Sequence, residues 1–214
     1  MEGLAAVILA AGASSRMGRF KPLLMIDGQT MIGRVTDSMQ NAGADPVVVV
    51  TGYQAERLKA HLCERELTFV HNDRYYETQM MASLLMGLAV LPQNTKRVLI
   101  APADVPLVRE ETISALLAAP GEFVRPVCGK KGGHPVVMDY ALYPYIGAYA
   151  GKDGLRGAIA ASGARVADVP VDDWGVTLDG DTRAGYERLL KYQRERTNRL
   201  QPLQLELQMG LRAE

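Results

Sequence analysis

The run Leu4-Ala5-Ala6-Val7-Ile8-Leu9-Ala10 is apolar from end to end and then breaks into Ala11-Gly12-Ala13-Ser14-Ser15. An unbroken apolar run suits a strand buried on both faces of a parallel sheet, because a half-exposed strand would alternate polar and apolar residues. In such sheets, ligands bind beyond the carboxyl ends of the strands. The residues that follow carry so little side-chain bulk that their backbone N–H groups can close on an anion. Arg16 and Lys21 then add full charge, arginine as a bidentate fork and lysine as a mobile point charge. The stretch reads as a cradle for a polyphosphate. Its spacing fits neither G-x-x-x-x-G-K-[ST] nor G-x-G-x-x-G, and an ordinary strand-to-helix turn is the alternative.

Downstream, strand-like runs alternate with helical patterns, which predicts an α/β fold, Rossmann-like and doubly wound, with helices on both faces of a mostly parallel sheet. Thr30–Gln40 has helical spacing and exits at Asn41-Ala42-Gly43. Strands are expected at Pro46–Val50, Leu67–Val70 and Val98–Ile100, and helices at Gln54–Leu62 and Thr78–Val90. Thr51 and Gly52 form a small-residue turn at a strand's carboxyl end, where the crevice should lie. Gly121–Tyr140 reads as a hairpin whose turn gathers Lys130, Lys131 and His134, either a rim for an anionic acceptor or a solvated lysine turn.

Asp104 follows the Val98–Ile100 strand inside Pro102-Ala103-Asp104-Val105-Pro106. Prolines fix such a turn and remove competing donors, so the carboxylate is exposed beside the Gly12 loop. A magnesium ion there needs further oxygen ligands. Asp179 and Asp181 are the candidates, since alternate residues of an extended Val176–Asp181 segment share a face. Alternatively, Asp181-Thr182 caps the next helix.

Lysine plus arginine equal aspartate plus glutamate at 24 each, so no global basic field argues for a nucleic-acid partner. Two cysteines, Cys63 and Cys128, are too few for a disulfide framework and lack metal-ligand spacing. No basic leader precedes the first apolar run and no apolar stretch reaches membrane length, so the expectation is a cytoplasmic protein without a membrane partner. A single domain over 1–192, followed by a charged and then Leu/Gln-rich helix, tail or linker over 193–214, accounts for the length.

The string L-A-A-G-A-S-S-R-M-G with Lys21 resembles the signature of the nucleotidyltransferases that make molybdenum cofactor dinucleotides. The resemblance continues through Val50-Thr51-Gly52-Tyr53, His71-Asn72, Pro102–Pro106, Gly133-His134-Pro135-Val136 and Leu178–Thr182. It is strongest to the cytidylyl branch, because Leu9-Ala10-Ala11-Gly12 stands where the guanylyl branch has L-A-G-G. The resemblance implies a nucleotide-diphospho-sugar transferase-like fold and transfer of CMP from CTP to molybdopterin, with a molybdenum hydroxylase or its chaperone as a further partner. It implies Arg16, Lys21 and Asp104 as catalytic groups, and Mg²⁺ or Mn²⁺ on Asp104 with Asp179 or Asp181. Leu9, Ala10, Ala11, Gly12, Ser14, Thr51, Gly52, Gln79 and Ser83 would bind the nucleotide, and Lys131, Gly133, His134 and Pro135 the acceptor. The chain departs from many relatives at Gln79, where they have glycine; its amide either reads or obstructs the base edge.

Overall fold

A computed structural model describes residues 2–13 and 17–210, with side chains as far as residue 198. In chain order the elements are β1 (Leu4–Ala10), β2 (Met25–Ile26), β3 (Gln29–Thr30), α1 (Met31–Asn41), β4 (Val47–Thr51), α2 (Ala55–His61), β5 (Thr68–His71) and α3 (Met80–Ala89). There follow β6 (Arg97–Pro102), α4 (Glu110–Ala118), β7 (Phe123–Cys128), β8 (Lys131–Gly132), β9 (Val136–Asp139), α5 (Tyr143–Ala148), α6 (Gly154–Ser162), β10 (Val166–Pro170) and α7 (Arg183–Gly210).

The main sheet runs β10-β7-β9-β6-β1-β4-β5, with β8 paired to β7. β1 lies between β4 and β6, parallel to both. Chain connections therefore diverge to either side of β1, and a crevice opens beyond its carboxyl end. The expected hairpin is present: β7 and β9 are antiparallel, and β9 also runs antiparallel to β6, so the sheet is mixed on that side.

β1 is apolar throughout because both of its faces are covered. Leu4, Ala6, Ile8 and Ala10 point into one core with Ile32, Val35, Leu58 and Leu116 from helices α1, α2 and α4. Ala5 and Val7 point into the other, with Leu84 and Leu88 of α3, Ile146 of α5 and Ile159 of α6. β4 repeats the alternation, Val47 and Val49 one way and Val48 and Val50 the other.

A third, smaller cluster joins Ile26, Met31, Leu107 and Leu189, and so docks the start of α7 onto the sheet domain. α7 continues without a break through residue 192, so the expected boundary at 192/193 falls inside a helix. Among the described residues, no helix is long and apolar enough to cross a membrane.

Candidate active site

A cavity of about 320 Å³ opens at the carboxyl ends of β1 and β6. This is the lower end of the range for small-molecule sites. Leu9, Ala10, Ala11, Gly12 and Ala13 form one side, Pro102, Ala103 and Asp104 another, and Thr78, Gln79, Met80 and Ser83 a third. Lys21 and Asp181 complete the charged end. Gly12 has a negative φ, and among the described residues no atom lies within 4 Å of where its Cβ would be. What its lack of a side chain provides is open space toward the cavity, as close approach of a ligand to the backbone requires. Arg16 and Ser14 lie outside the described residues.

Lys21 is aimed by its neighbours. It opens the 3-10 turn Lys21–Leu23 between Phe20 and Pro22, both buried, so its stem is fixed and its ammonium projects into the cavity. Asp104 is held by a continuation of the β1–β6 ladder, in which the Ala103 amide donates to the Leu9 carbonyl at 3.0 Å. The Asp104 carbonyl accepts from the Gly180 amide at 3.1 Å, which draws Asp181 to the same place. Lys21 Nζ donates to Asp104 Oδ2 at 2.9 Å and also to Asp181 Oδ1. The Lys21 and Asp104 side chains are 16% and 17% exposed and that of Asp181 is 32%, so water screens these contacts weakly.

Burial works against the Lys21 ammonium, but the two carboxylates outweigh it and raise its pKa. Burial also raises the Asp104 carboxyl above the usual carboxylate range, with Lys21 opposing and Asp181 adding to the rise. The two directions agree physically: two acids share one base, so the base is held protonated while one acid resists ionising.

Asp179 and Asp181, expected to point one way, are placed differently: Asp181 lines the cavity and Asp179 does not. Trp174–Thr177 is a 3-10 turn, Leu178 beyond it is extended, and the chain bends at Asp181 and Thr182. Asp179 Oδ1 accepts from the Asp181 amide at 3.0 Å, the local bond that short carboxylates make to the backbone two residues on. The helix is capped by Thr182, whose Oγ1 accepts from the Gly185 amide at 3.0 Å, and Asp181 is left to face Lys21.

Thr51 and Gly52 support the site from below without lining it. Thr51 is fully buried and its hydroxyl donates to the Val70 carbonyl at 3.3 Å. Of the expected acceptor residues, Lys131, Gly133, His134 and Pro135 lie outside the cavity lining. They precede β9, whose pairing of Val136 with Ile100 brings them toward the carboxyl end of β6. Gly133 packs against the Val176 carbonyl with no room for a Cβ. Burial lowers the His134 pKa, and its Nδ1 is buried with no hydrogen-bond partner among the described residues, so it is a neutral imidazole near pH 7. Sequence reasoning missed Pro22 and Tyr75 as lining residues. The adjacent aromatics Tyr75-Tyr76 in a polar loop were the available signal.

Among the described residues, no group of three or more His, Cys, Asp or Glu side chains could hold a metal. The two carboxylates at the charged end still fit a hard divalent cation that takes its remaining oxygen ligands from phosphates and water.

A mixed, mostly parallel sheet with a cavity carrying a charged group at the β1 switch point defines a nucleotidyltransferase-like α/β protein. The chain belongs to the MobA-like NTP transferase domain family, whose model matches residues 6–166. Among solved structures, a nucleotidyl transferase from Methanothermobacter thermautotroptrophicus (Mth528) is similar with a TM-score of 0.79 at 24% identity, over 90% of this chain and 98% of that one. Rv0371c from Mycobacterium tuberculosis H37Rv is similar with a TM-score of 0.79 at 25% identity, over 89% and 98%. Rv0371c has also been solved in complex with manganese, a structure similar with a TM-score of 0.74 at 23% identity, over 89% and 99%. Bifunctional protein GlmU of Francisella tularensis subsp. novicida (strain U112) is 36% identical over 118 residues, 54% of this chain and 25% of GlmU. The chain thus spans about a quarter of the length of the curated relatives it matches.

Proposed function

We propose that the protein transfers CMP from CTP to the terminal phosphate of molybdopterin, forming the cytosine dinucleotide and releasing pyrophosphate. A terminal phosphate oxygen of the acceptor forms the new bond to the α-phosphorus, and the bond from that phosphorus to the pyrophosphate oxygen breaks. Such transfers need positioning and charge neutralisation more than covalent help. The observation that carries the reading is the Lys21–Asp104–Asp181 group at the mouth of the Ala11-Gly12-Ala13 loop. The loop backbone binds the nucleotide, and Lys21, with Arg16 from the adjoining segment, compensates the charge that builds on the departing pyrophosphate. Asp104 and Asp181 hold Mg²⁺ or Mn²⁺, which when bound neutralises phosphate oxygens.

A second reading keeps the donor and changes the acceptor to a sugar or polyol phosphate. It is favoured by the absence of Lys131, Gly133, His134 and Pro135 from the cavity lining. Pyrophosphate release measured with each of the four NTPs, using molybdopterin or a sugar phosphate as acceptor, separates the two. Release that needs CTP and molybdopterin together supports the first reading. Release with a sugar phosphate alone replaces it with the second, and preference for GTP overturns the choice of base.

A further inference from the structure

The Lys21–Asp104–Asp181 group accounts for the phosphates but leaves another part of the lining unassigned. That part is the loop from β5 to α3, and it is tightly built. Asn72 is buried, and its Nδ2 donates to Thr78 Oγ1 at 2.9 Å and to Ser83 Oγ at 3.0 Å. Its Oδ1 accepts from the Arg74 amide at 3.0 Å, and its carbonyl from the Tyr75 amide at 3.2 Å. One buried amide therefore fastens both ends of the loop and ties it to α3.

Tyr75 rides on this loop and lines the cavity, the only aromatic ring to do so among the described residues. Its position is fixed from below by Gly52. A Cβ there would lie 2.7 Å from Tyr75 Cβ and 2.6 Å from the Ala11 carbonyl oxygen, so the tyrosine and the small-residue loop meet over a residue with no side chain. From the sides, the Tyr53 ring stands 6.3 Å away and the Tyr76 ring 5.4 Å away, edge to face with Tyr75. Rings at these separations hold one another in place.

We infer that Tyr75 is the surface on which the nucleobase stacks, a specificity residue in the lining of the same cavity as Lys21. The inference rests on the nucleotidyl-transfer reading above and deepens it. A nucleotide has a charged part and a flat aromatic part, and the cavity lining offers charged groups and one aromatic ring. Gln79 and Ser83, beside Tyr75, present an amide and a hydroxyl where an edge of a stacked base needs donors and acceptors. The ring is amphipathic and already immobilised, so stacking costs little ordering.

Calorimetry with CTP, CMP and inorganic tripolyphosphate tests this on the whole protein. Tyr75→Leu should weaken CTP and CMP alike, on the order of tenfold, as loss of a base-stacking ring does. Tripolyphosphate, which carries no base, should bind Tyr75→Leu as it binds wild type, and this also reports that the site is intact. Tyr75→Phe should stay within about threefold of wild type for every ligand. Tyr145→Leu, at an exposed ring outside the cavity lining, should bind CTP normally. Unchanged CTP affinity in Tyr75→Leu overturns the inference while leaving the nucleotidyl-transfer reading standing. So does an equal loss of tripolyphosphate, which would place Tyr75 with the phosphates or the scaffold. A wild type that binds tripolyphosphate but no nucleotide overturns both.

Discussion

Replacing Lys21 with methionine removes the ammonium that joins Asp104 to Asp181 while keeping the length of its stem. The three groups are at least two-thirds shielded, so the perturbation is larger than for a surface pair and smaller than for a fully buried one. Removing one partner from a fully buried pair costs roughly 3–5 kcal/mol. Discounting for the partial exposure of Asp181 leaves about 2 kcal/mol, or roughly 4–8 °C in Tm for a chain of this size. The assay is thermal unfolding at pH 7 in chelator, repeated with millimolar Mg²⁺ or Mn²⁺. In chelator, Lys21→Met should melt well below wild type. With the metal much of that loss should disappear, because a divalent cation can neutralise the carboxylates from which Lys21 no longer has to be displaced, and binding to the folded state alone raises Tm. The metal should therefore stabilise the variant more than it stabilises wild type. Equal melting of the two proteins in chelator would refute the neutralising role. A metal increment no larger in the variant than in wild type would refute the shared location.

Three further outcomes are expected. Asp104→Ala should fold but lose about a hundredfold in metal-dependent turnover, the scale for a principal electrostatic stabiliser, and retention of a tenth of the activity would remove Asp104 from that role. Asp181→Asn should weaken Mn²⁺ binding as read by calorimetry, whereas Asp179→Asn, whose amide oxygen can still accept from the Asp181 N–H, should leave it within about twofold; the reverse order would mean that the wrong aspartate has been placed in the site. Lys21 has a folded pKa above its ordinary 10.5, so its contribution to stability is complete below pH 10.5 and is lost as pH rises through the folded value. Wild type should thus lose Tm more steeply than Lys21→Met above pH 10.5, and parallel alkaline curves would contradict the ion pairing.

How far the chain could be read in advance depended on whether a feature was local or assembled. β1 was legible to the residue because burial on both faces removes every polar side chain from a strand, and that mark needs no knowledge of its neighbours. Elements with one wetter face blurred at their ends: the helix expected from Thr78 begins at Met80, because Thr78 instead spends its hydroxyl on the Asn72 amide and the Arg74 carbonyl. Lys21 was legible as a cation of the site but not as the partner of two acids, which depends on the Gly180–Asp104 backbone bond across the fold.

The two aspartates show where pattern reasoning stops. An i, i+2 rule holds only while the backbone stays extended, and here the chain bends at Asp181, whose amide donates to the Asp179 carboxylate. The residue that looked like a second ligand is the one that accepts this backbone bond, and Asp181 is the one that reaches the site. Tyr75 was hidden for a related reason. A ring in a polar loop is unremarkable in sequence, and it becomes a cavity wall only because Gly52, on another strand's exit, leaves the space it fills. The small residues of this site thus do two different jobs. At Gly12 the missing side chain leaves room toward a ligand, and at Gly52 it leaves room for a protein side chain that faces the same cavity.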